Sequence, residues 1–182
     1  YLNNLAGTLE HQSVVGLAGP FQIRKSFFDV NKHPFLVMVD SIQDTRNLGA
    51  ILRSAYCTGA DGVIICQRKG APINGSTIKA SAGLAERLEI YQASSPAQAI
   101  TELKKAGYGI YLATLDGADA TKVKYTKPVC IVIGNEAIGV SREILKEGTK
   151  IRLSQKSDDI SYNASVAAGI LLFLAASQMG KI

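Results

Sequence analysis

Three polar clusters carry the residue types that could do chemistry in this 182-residue chain. They are Asn47 with Arg53, Gly134-Asn135-Glu136 with Gly139, and Ser161-Tyr162-Asn163 with Ser165. Together they offer carboxamides, hydroxyls, backbone amides, one carboxylate and one guanidinium, and none of them contains a cysteine or serine paired with histidine. Such groups suit a pocket that binds a polar cofactor and aligns two substrates, so that proximity rather than covalent attack accelerates the reaction.

The sequence lacks the patterns of several common enzyme classes. His11 and His33 have no second histidine or cysteine at ligand spacing, which predicts structural or surface roles and no metal site. Gly134 and Gly139 have the spacing of a phosphate-binding P-loop, but Val140 stands in place of its lysine, which argues against an NTPase. No G-x-G-x-x-G follows a predicted strand, which also weighs against a dinucleotide-dependent dehydrogenase.

The composition favours an ordered α/β protein with one domain. Hydrophobic residues make up 47% and charged residues 19% of the chain, and no low-complexity run interrupts it. The formal charge of +5 is compatible with an anionic partner, although the basic residues are spread along the chain. The longest uncharged apolar run, at 164–176, is shorter than the roughly 20 residues that span a bilayer. Cys57, Cys66 and Cys130 form no C-x-x-C pair, so we expect reduced thiols in a soluble, cytoplasmic protein.

An alternation of strands and helices predicts how the three clusters are positioned. Short, mainly apolar runs predict strands at 35–39, 62–66, 88–92, 109–114, 129–133 and 150–153. Helical patterns lie between them, and this alternation predicts a mainly parallel sheet with helices on both faces. Ligands in such folds usually bind at the carboxyl ends of the strands, where all three clusters fall.

Two serines are predicted to cap helices beside the clusters. Ser141 is expected to begin a helix that Gly148 ends, and Ser161 is expected to cap the last helix. The last helix is rich in small residues, which would let a backbone or a ligand approach closely. From this stretch alone, a capped buried helix and one wall of a ligand site are both open interpretations.

Basic side chains near two strand ends are candidates for contacts with an anion. If the helix after Asp44 is regular, Arg46 and Arg53 lie on one face and their guanidinium groups project together. The alternative is two solvated arginines on the exterior of that helix. In the loop after the second predicted strand, Arg68 and Lys69 are either phosphate contacts or ordinary loop cations.

The three clusters, in this order and strand context, resemble the motifs of the SpoU-type, or TrmH-like, RNA ribose 2′-O-methyltransferases of the SPOUT superfamily. The matching stretches are Asn47-Leu-Gly-Ala-Ile-Leu-Arg53, Ile133-Gly-Asn-Glu136-Ala-Ile-Gly139, and Ile151 to Gly169. Each motif alone is only moderately specific, whereas their order and separation together are characteristic of this family. Tyr162 departs from the leucine that the family usually has in the third motif.

The resemblance implies a deep trefoil knot formed by the C-terminal segment, a homodimer that shares its active sites between subunits, and S-adenosylmethionine as the cofactor. The residues that would bind this cofactor are Thr114, Ile133, Gly134, Asn135, Gly139, Ile151, Leu153, Tyr162 and Ser165. The implied catalytic residues are Arg53, Asn47, Glu136, Ser161 and Asn163. Arg53 would reach in from the partner subunit, and the resemblance implies neither a metal nor a membrane partner.

The implied reaction is methylation of a ribose 2′-hydroxyl in structured RNA, with ribosomal RNA favoured over transfer RNA. Arginine is normally protonated, with a pKa above about 12. We therefore expect Arg53 to stabilise developing negative charge or to orient a phosphate, rather than to accept a proton. A knot-fold dimer that binds RNA without catalysis and a methyltransferase acting on a base nitrogen are the alternatives; the first motif favours ribose.

The resemblance also divides the chain into two parts. Residues 34–182 correspond to the SpoU-type catalytic domain, and residues 1–33 are predicted to be an extended lead-in with one or two short strands. Within the lead-in, Glu10-His-Gln-Ser-Val-Val15 is similar to a segment that follows a small RNA-binding domain in members that modify ribosomal RNA. We therefore expect an RNA-binding domain to precede these residues in the complete protein.

Overall fold

The computed structural model describes residues 1–7, 9, 11, 13–17, 19–66, 70–157 and 160–182. The strands in these ranges are β1 (Phe35–Val39), β2 (Gly62–Cys66), β3 (Ile90–Ala93), β4 (Gly109–Asp119), β5 (Val129–Ile133) and β6 (Thr149–Arg152). They form one sheet in the order β3-β2-β1-β5-β4-β6, and the neighbouring strands pair in parallel. The predicted mainly parallel sheet is confirmed, whereas the knot stays a prediction.

Helices cover both faces of the sheet, as predicted, with α2 and α5 on one face and α4 on the other. The helices of the described residues are α1 (Leu2–Ala6), α2 (Thr45–Cys57), α3 (Gly75–Ala80), α4 (Pro96–Lys105) and α5 (Ala164–Gln178). Successive strand residues point to opposite faces. Val37 and Ile131 therefore belong to the core beneath α2 and α5, and Leu36 and Cys130 belong to the core beneath α4.

The central strands are the ones whose bounds the sequence predicted without error. All residues of β1, β2 and β5 are buried, so apolar side chains are required on both faces and the run is continuous. The edge strands differ from prediction by one or two residues, since β3 begins at Ile90 and β6 begins at Thr149. β4 runs on to Asp119, because residues after the predicted end pair with β6 again.

The segment after β5 contradicts one prediction. Ser141 caps no helix that extends to Gly148, and only the short 3-10 turn Arg142–Ile144 follows it. The hydroxyl of Ser141 donates instead to Asp40 Oδ1 across 2.9 Å. The Ser141 side chain, which local sequence preference assigns to a helix cap, therefore forms a tertiary hydrogen bond instead.

The start of α5 corrects a second prediction. Asn163, rather than Ser161, is the cap of this helix. Asn163 Oδ1 accepts from the backbone N–H groups of Ser165 at 2.9 Å and Val166 at 3.4 Å. Asparagine caps helices as well as serine does, and the helix has not yet begun at Ser161 and Tyr162.

The prediction of an extended lead-in was wrong at its start, where the helix α1 forms, and part of the lead-in packs against the sheet. Phe28 is buried beside β2, where a Cβ on Gly62 would lie 2.2 Å from Phe28 Cε1. Arg24 forms a parallel bridge with Tyr91 of β3. Residues 21–33 therefore cover the β3 edge of the sheet, while the lead-in motif at 10–15 lies partly outside the described residues.

The residues after α5 hold the end of this helix against the sheet. Lys181 forms an ion pair with Asp61 and also donates to the carbonyl oxygen of Gly59 across 2.8 Å. Asp61 accepts in turn from the backbone N–H of Phe35 across 2.8 Å. The two charged side chains are only 18% and 21% exposed, so water screens this pair less than a surface pair.

Replacing Lys181 with alanine is expected to lower the free energy of unfolding by about 2 kcal/mol, because the shielded Asp61 carboxylate loses its cation. Lys104→Ala is the matched control, since Lys104 pairs with Glu147 but is 51% exposed. Its loss is expected to be about 0.5 kcal/mol. Denaturant unfolding measures both values, and equal losses would contradict the stabilising role of the shielded pair.

Candidate functional site

A cleft of about 400 Å³ lies at the carboxyl ends of β4, β5 and β6. Its walls come from β4 and the loops that follow β5 and β6. Most of the residues predicted from the sequence line it, namely Thr114, Ile133, Gly134, Asn135, Glu136, Gly139, Ile151, Leu153, Ser161 and Tyr162. The structure brings these residues together, and their individual roles stay predictions.

A series of side-chain hydrogen bonds joins the three predicted clusters beside this cleft. Asn163 Nδ2 donates to Asn47 Oδ1 across 3.2 Å, and Asn47 Nδ2 donates to Glu136 Oε1 across 2.9 Å. Glu136 Oε2 accepts from Asn135 Nδ2 across 3.2 Å. We call these four residues the amide–carboxylate chain. It connects α2, the loop after β5 and the start of α5.

The direction of each hydrogen bond in the amide–carboxylate chain is fixed by its neighbours. Asn163 Oδ1 is occupied by its capping contacts with α5, so its amide donors point away, toward Asn47. Asn47 then presents its own donors to Glu136. Both oxygens of Glu136 accept from neutral amides, which holds the carboxylate as an acceptor suited to a hydroxyl or an amine.

The loop after β5 is tightly folded against its own strand end. Asn135 and Gly139 exchange two backbone hydrogen bonds, each 2.9 Å long. A Cβ on Gly134 would lie 2.2 Å from the carbonyl carbon of Gly139 and from the backbone nitrogen of Val140. Only glycine fits at position 134, and Gly139 itself has a φ of +69°, a conformation that glycine adopts at low cost.

A bulge in β4 forms another wall of the cleft. Ala113 and Ala118 both pair with Ile151, so residues 114–117 are displaced from the ladder. The bulge carries Asp116, which pairs with Lys150 across 2.8 Å, and this contact lowers the pKa of the Asp116 carboxyl. The sequence analysis missed this pair, because the two residues lie 34 positions apart and only the bulge brings them together.

Thr114, in the same bulge, carries a buried hydroxyl oxygen with no partner at hydrogen-bonding geometry. It is nevertheless near enough to Asp116 to help lower the pKa of that carboxyl. Buried polar atoms are seldom left without a partner. Because Thr114 lines the cleft, its hydroxyl is available to a polar group of a bound molecule.

Four predicted site residues are not among those that line the cleft: Asn47, Arg53, Asn163 and Ser165. Asn47 and Asn163 belong to the amide–carboxylate chain beside it. Arg53 is exposed on α2 and is not among the residues that line the cleft. Ser165 donates its hydroxyl to Asn163 Oδ1 across 2.6 Å, so it supports the helix cap. Arg46 pairs with Asp44 in its own turn, which engages one of the two guanidinium groups expected to project together.

The remaining sequence predictions concern loop cations, metals, thiols and membranes. Arg68 and Lys69 lie outside the described residues. Within the described ranges, no three histidine, cysteine or acidic residues are grouped so that they could hold a metal ion. Burial raises the pKa of the Cys66 thiol to about 12 and also raises that of Cys130. In the part of the chain that the structure describes, no helix has the length and apolar character to cross a bilayer.

Comparison with known proteins gives matches over most of the chain. A family model described as the SpoU rRNA methylase family matches residues 34–173. The chain is 37% identical, over 145 residues, to an uncharacterised tRNA/rRNA methyltransferase of Archaeoglobus fulgidus. That match covers 79% of this chain and 65% of the relative.

Two solved structures have the same fold. An AdoMet-bound rRNA methyltransferase from Sinorhizobium meliloti superposes with a TM-score of 0.77 and 28% identity, covering 84% of this chain and 59% of that one. A TrmH/SpoU tRNA modifying enzyme of A. aeolicus gives a TM-score of 0.72 and 30% identity, covering 82% and 78%. The chain spans less than two thirds of the length of the Archaeoglobus and Sinorhizobium proteins.

Gly134→Ala is expected to lower the free energy of unfolding by about 2 kcal/mol, because the added methyl group collides with backbone atoms that cannot move independently. Gly75→Ala is the control, since a Cβ there meets nothing within 4 Å. That substitution is expected to change stability by less than about 0.5 kcal/mol. Denaturant unfolding gives both values, and an unchanged stability for Gly134→Ala would refute the close approach.

Proposed function

Because the chain belongs to the SpoU rRNA methylase family, we propose that it transfers a methyl group from S-adenosylmethionine to a ribose 2′-hydroxyl of RNA. The observation that carries this proposal is the amide–carboxylate chain, which joins all three family motifs beside one cleft. The cleft, at about 400 Å³, lies within the roughly 300–1,000 Å³ that is usual for small-molecule and cofactor sites.

The residues of the cleft fit S-adenosylmethionine. Ile133, Ile151 and Leu153 offer apolar surface to an adenine ring, and the unpartnered Thr114 hydroxyl offers a polar contact to the adenosine. Tyr162, in place of the family's usual leucine, adds an aromatic ring to this wall. When bound, the cofactor supplies an activated methyl group on a positively charged sulfur. The Sinorhizobium neighbour was solved with AdoMet bound.

The amide–carboxylate chain positions the incoming nucleotide. Glu136 is held on both oxygens by amide donors, and its remaining lone pairs can accept from a ribose hydroxyl. Ser161 lines the cleft and is not the cap of α5, so its hydroxyl can serve the cofactor or the nucleotide. Alignment of this kind can supply much of the acceleration when the methyl donor is already reactive.

Arg53 would stabilise negative charge on the ribose 2′-oxygen as that oxygen accepts the methyl group. The hydroxyl proton would pass to solvent water, and the electron pair of the broken S–C bond would stay on the sulfur. A guanidinium group stays protonated at neutral pH and cannot take the hydroxyl proton. It can donate to the 2′-oxygen or to the neighbouring phosphate, with which its planar fork forms paired hydrogen bonds. Its exposed position on α2 outside its own cleft supports a role in the active site of a second subunit.

A second copy of the chain packs against α5. Val166, Ile170 and Phe173 are 49%, 37% and 57% exposed and lie at spacings of four and three residues, so they share one face of the helix. An apolar stripe of this kind favours contact with another protein surface. α5 also packs against α2, which places the stripe close to the helix that carries Arg53.

The substrate we favour is ribosomal RNA, with transfer RNA as the second candidate. The matched family is described by rRNA methylation, and the Sinorhizobium neighbour is named an rRNA methyltransferase. The neighbour from A. aeolicus is named a tRNA modifying enzyme, which keeps the second candidate. An RNA substrate and three unpaired cysteines make the cytoplasm the expected compartment.

Transfer of label from S-adenosylmethionine to RNA tests the reaction directly. The protein is incubated with methyl-labelled cofactor and with separated ribosomal and transfer RNA, and the RNA is then digested to nucleosides. We expect the label in a 2′-O-methylnucleoside from ribosomal RNA. Label in a base would overturn the ribose assignment, and tight cofactor binding without transfer to either RNA would favour the non-catalytic alternative.

Arg53→Ala is expected to abolish turnover while leaving the dissociation constant of S-adenosylmethionine within about twofold, because the guanidinium acts on the RNA side of the reaction. Arg46→Ala is the matched control on the same helix, since Arg46 is 84% exposed and pairs with Asp44. It is expected to keep most of the activity. Equal loss of cofactor affinity and turnover in Arg53→Ala would contradict its role.

A heterodimer shows whether Arg53 acts across subunits. Arg53→Ala and Glu136→Ala are co-expressed with different tags, and the mixed dimer is purified. If Arg53 serves the partner's cleft, one of the two sites keeps both residues, and about half of the parental activity returns. An inactive mixed dimer would place both residues in the same subunit's site.

A further inference from the structure

Asp40 is a buried carboxylate directly after β1 that the proposed reaction does not use. Its exposed fraction is 0%. It accepts from the backbone N–H of Ser141 at 2.7 Å, from the Ser141 hydroxyl at 2.9 Å and from the Ser41 hydroxyl at 3.0 Å. None of the ion pairs within the described ranges includes Asp40. Its buried oxygens therefore depend on these three donors.

The same short segment also holds the other end of the loop after β5. Asn135 Nδ2, near the start of this loop, donates to the carbonyl oxygen of Ser41 across 2.8 Å. Ser141, at the end of the loop, is bound to Asp40. Ser41 has a φ of +61°, a left-handed conformation that non-glycine residues hold only when their surroundings fix it.

We propose that Asp40 is a positioning residue for the cofactor site. It fixes the far end of the loop at 134–141 through Ser141, while the adjacent Ser41 holds Asn135, and it so sets the affinity for S-adenosylmethionine without touching it. This inference rests on the proposed function, because it assigns the cleft to that cofactor. Residues 134–140 line the cleft, whereas Asp40, Ser41 and Ser141 do not. The effect of Asp40 on a bound molecule must therefore pass through the loop.

The strength of these contacts follows from charge and burial. Hydrogen bonds to a carboxylate are about twice as strong as those between neutral groups. In a buried site, a donor that loses its acceptor is left without water to replace it. Asp40 also has only small movements available, because its own backbone N–H donates to the carbonyl oxygen of Ile133 across 2.8 Å. Asp40 is thus bound to the end of β5, the strand that the loop follows.

Ser141→Ala is the principal test, because it removes one hydroxyl and leaves the backbone bond to Asp40. Asp40→Asn is the second variant, and Ser141→Thr restores a hydroxyl. Ser95→Ala serves as the matched control: Ser95 lies shortly after β3 and caps α4 by accepting from Gln98 N at 3.2 Å, and within the described ranges it forms no hydrogen bond to the loop at 134–141. Calorimetry with S-adenosylmethionine gives the dissociation constants, and a thermal melt gives stability.

We expect Ser141→Ala to weaken cofactor binding about tenfold, with a melting temperature no lower than that of Ser95→Ala. Asp40→Asn should weaken cofactor binding further. Ser141→Thr should return the dissociation constant of S-adenosylmethionine to within about threefold of the parent value. The turnover number of Ser141→Ala at saturating cofactor should stay within about twofold of the parent value, since this substitution lowers the affinity for the cofactor and not the rate of methyl transfer. Ser95→Ala should bind as the parent does.

The inference would be overturned if Ser141→Ala and Asp40→Asn bound S-adenosylmethionine with unchanged dissociation constants and had melting temperatures lowered as in Ser95→Ala. Asp40 would then be a stabilising residue only. That result would leave the proposed function intact, because the parent still binds the cofactor. A parent protein that fails to bind S-adenosylmethionine would instead overturn the proposed function, and the inference about Asp40 with it.

Discussion

The amide–carboxylate chain is the interaction on which the candidate site depends. Asn47 and Glu136 are 89 positions apart, and Asn163 and Asn47 are 116 apart. A parallel sheet brings such segments to one edge, but it does not fix the loops against one another. The hydrogen bonds do so because each is directional and because Asn47 links the other two segments. Its Oδ1 accepts from Asn163 and its Nδ2 donates to Glu136. Glu136 and Asn163 are exposed, so water can replace a lost partner, and loss of one member would change the position of its neighbours rather than leave buried polar atoms unsatisfied.

Close backbone contacts and buried hydrogen bonds shape the loop that carries Asn135 and Glu136 of the amide–carboxylate chain. Gly134 lets the loop after β5 fold back onto its own strand end, and Asp40 holds the far end of that loop. The bulge in β4 supplies the facing polar groups of the cleft. The result is a site with few charged side chains, which suits the proposed reaction because that reaction depends on the positions of the two reactants.

The sequence predicted those features that local pattern determines. The bounds of β1, β2 and β5 were predicted without error because burial on both faces leaves an uninterrupted apolar run. The caps at Ser141 and Ser161 were wrong because a distant carboxylate binds the first and an adjacent asparagine replaces the second. Local preference carries no information about either outcome.

In the candidate site, too, some features could be predicted from local sequence and others depend on the tertiary structure. The motifs predicted which segments meet, and most of their residues do line one cleft. The pairing of Asp116 with Lys150 and the burial of Asp40 depend on how strands are placed beside one another, which no short stretch encodes. Arg53 lies outside the cleft, and its proposed role in the site of a second copy cannot be placed by the pattern of a single chain.

The central claim is that the three motifs act as one unit through their hydrogen bonds. A double-mutant cycle tests it most directly, with Asn47→Ala, Glu136→Gln and the combined variant assayed for kcat/KM in methyl transfer to RNA. If the residues act together, the activation free energies should depart from additivity by about 1 kcal/mol or more. Effects that add to within about 0.3 kcal/mol would contradict the account.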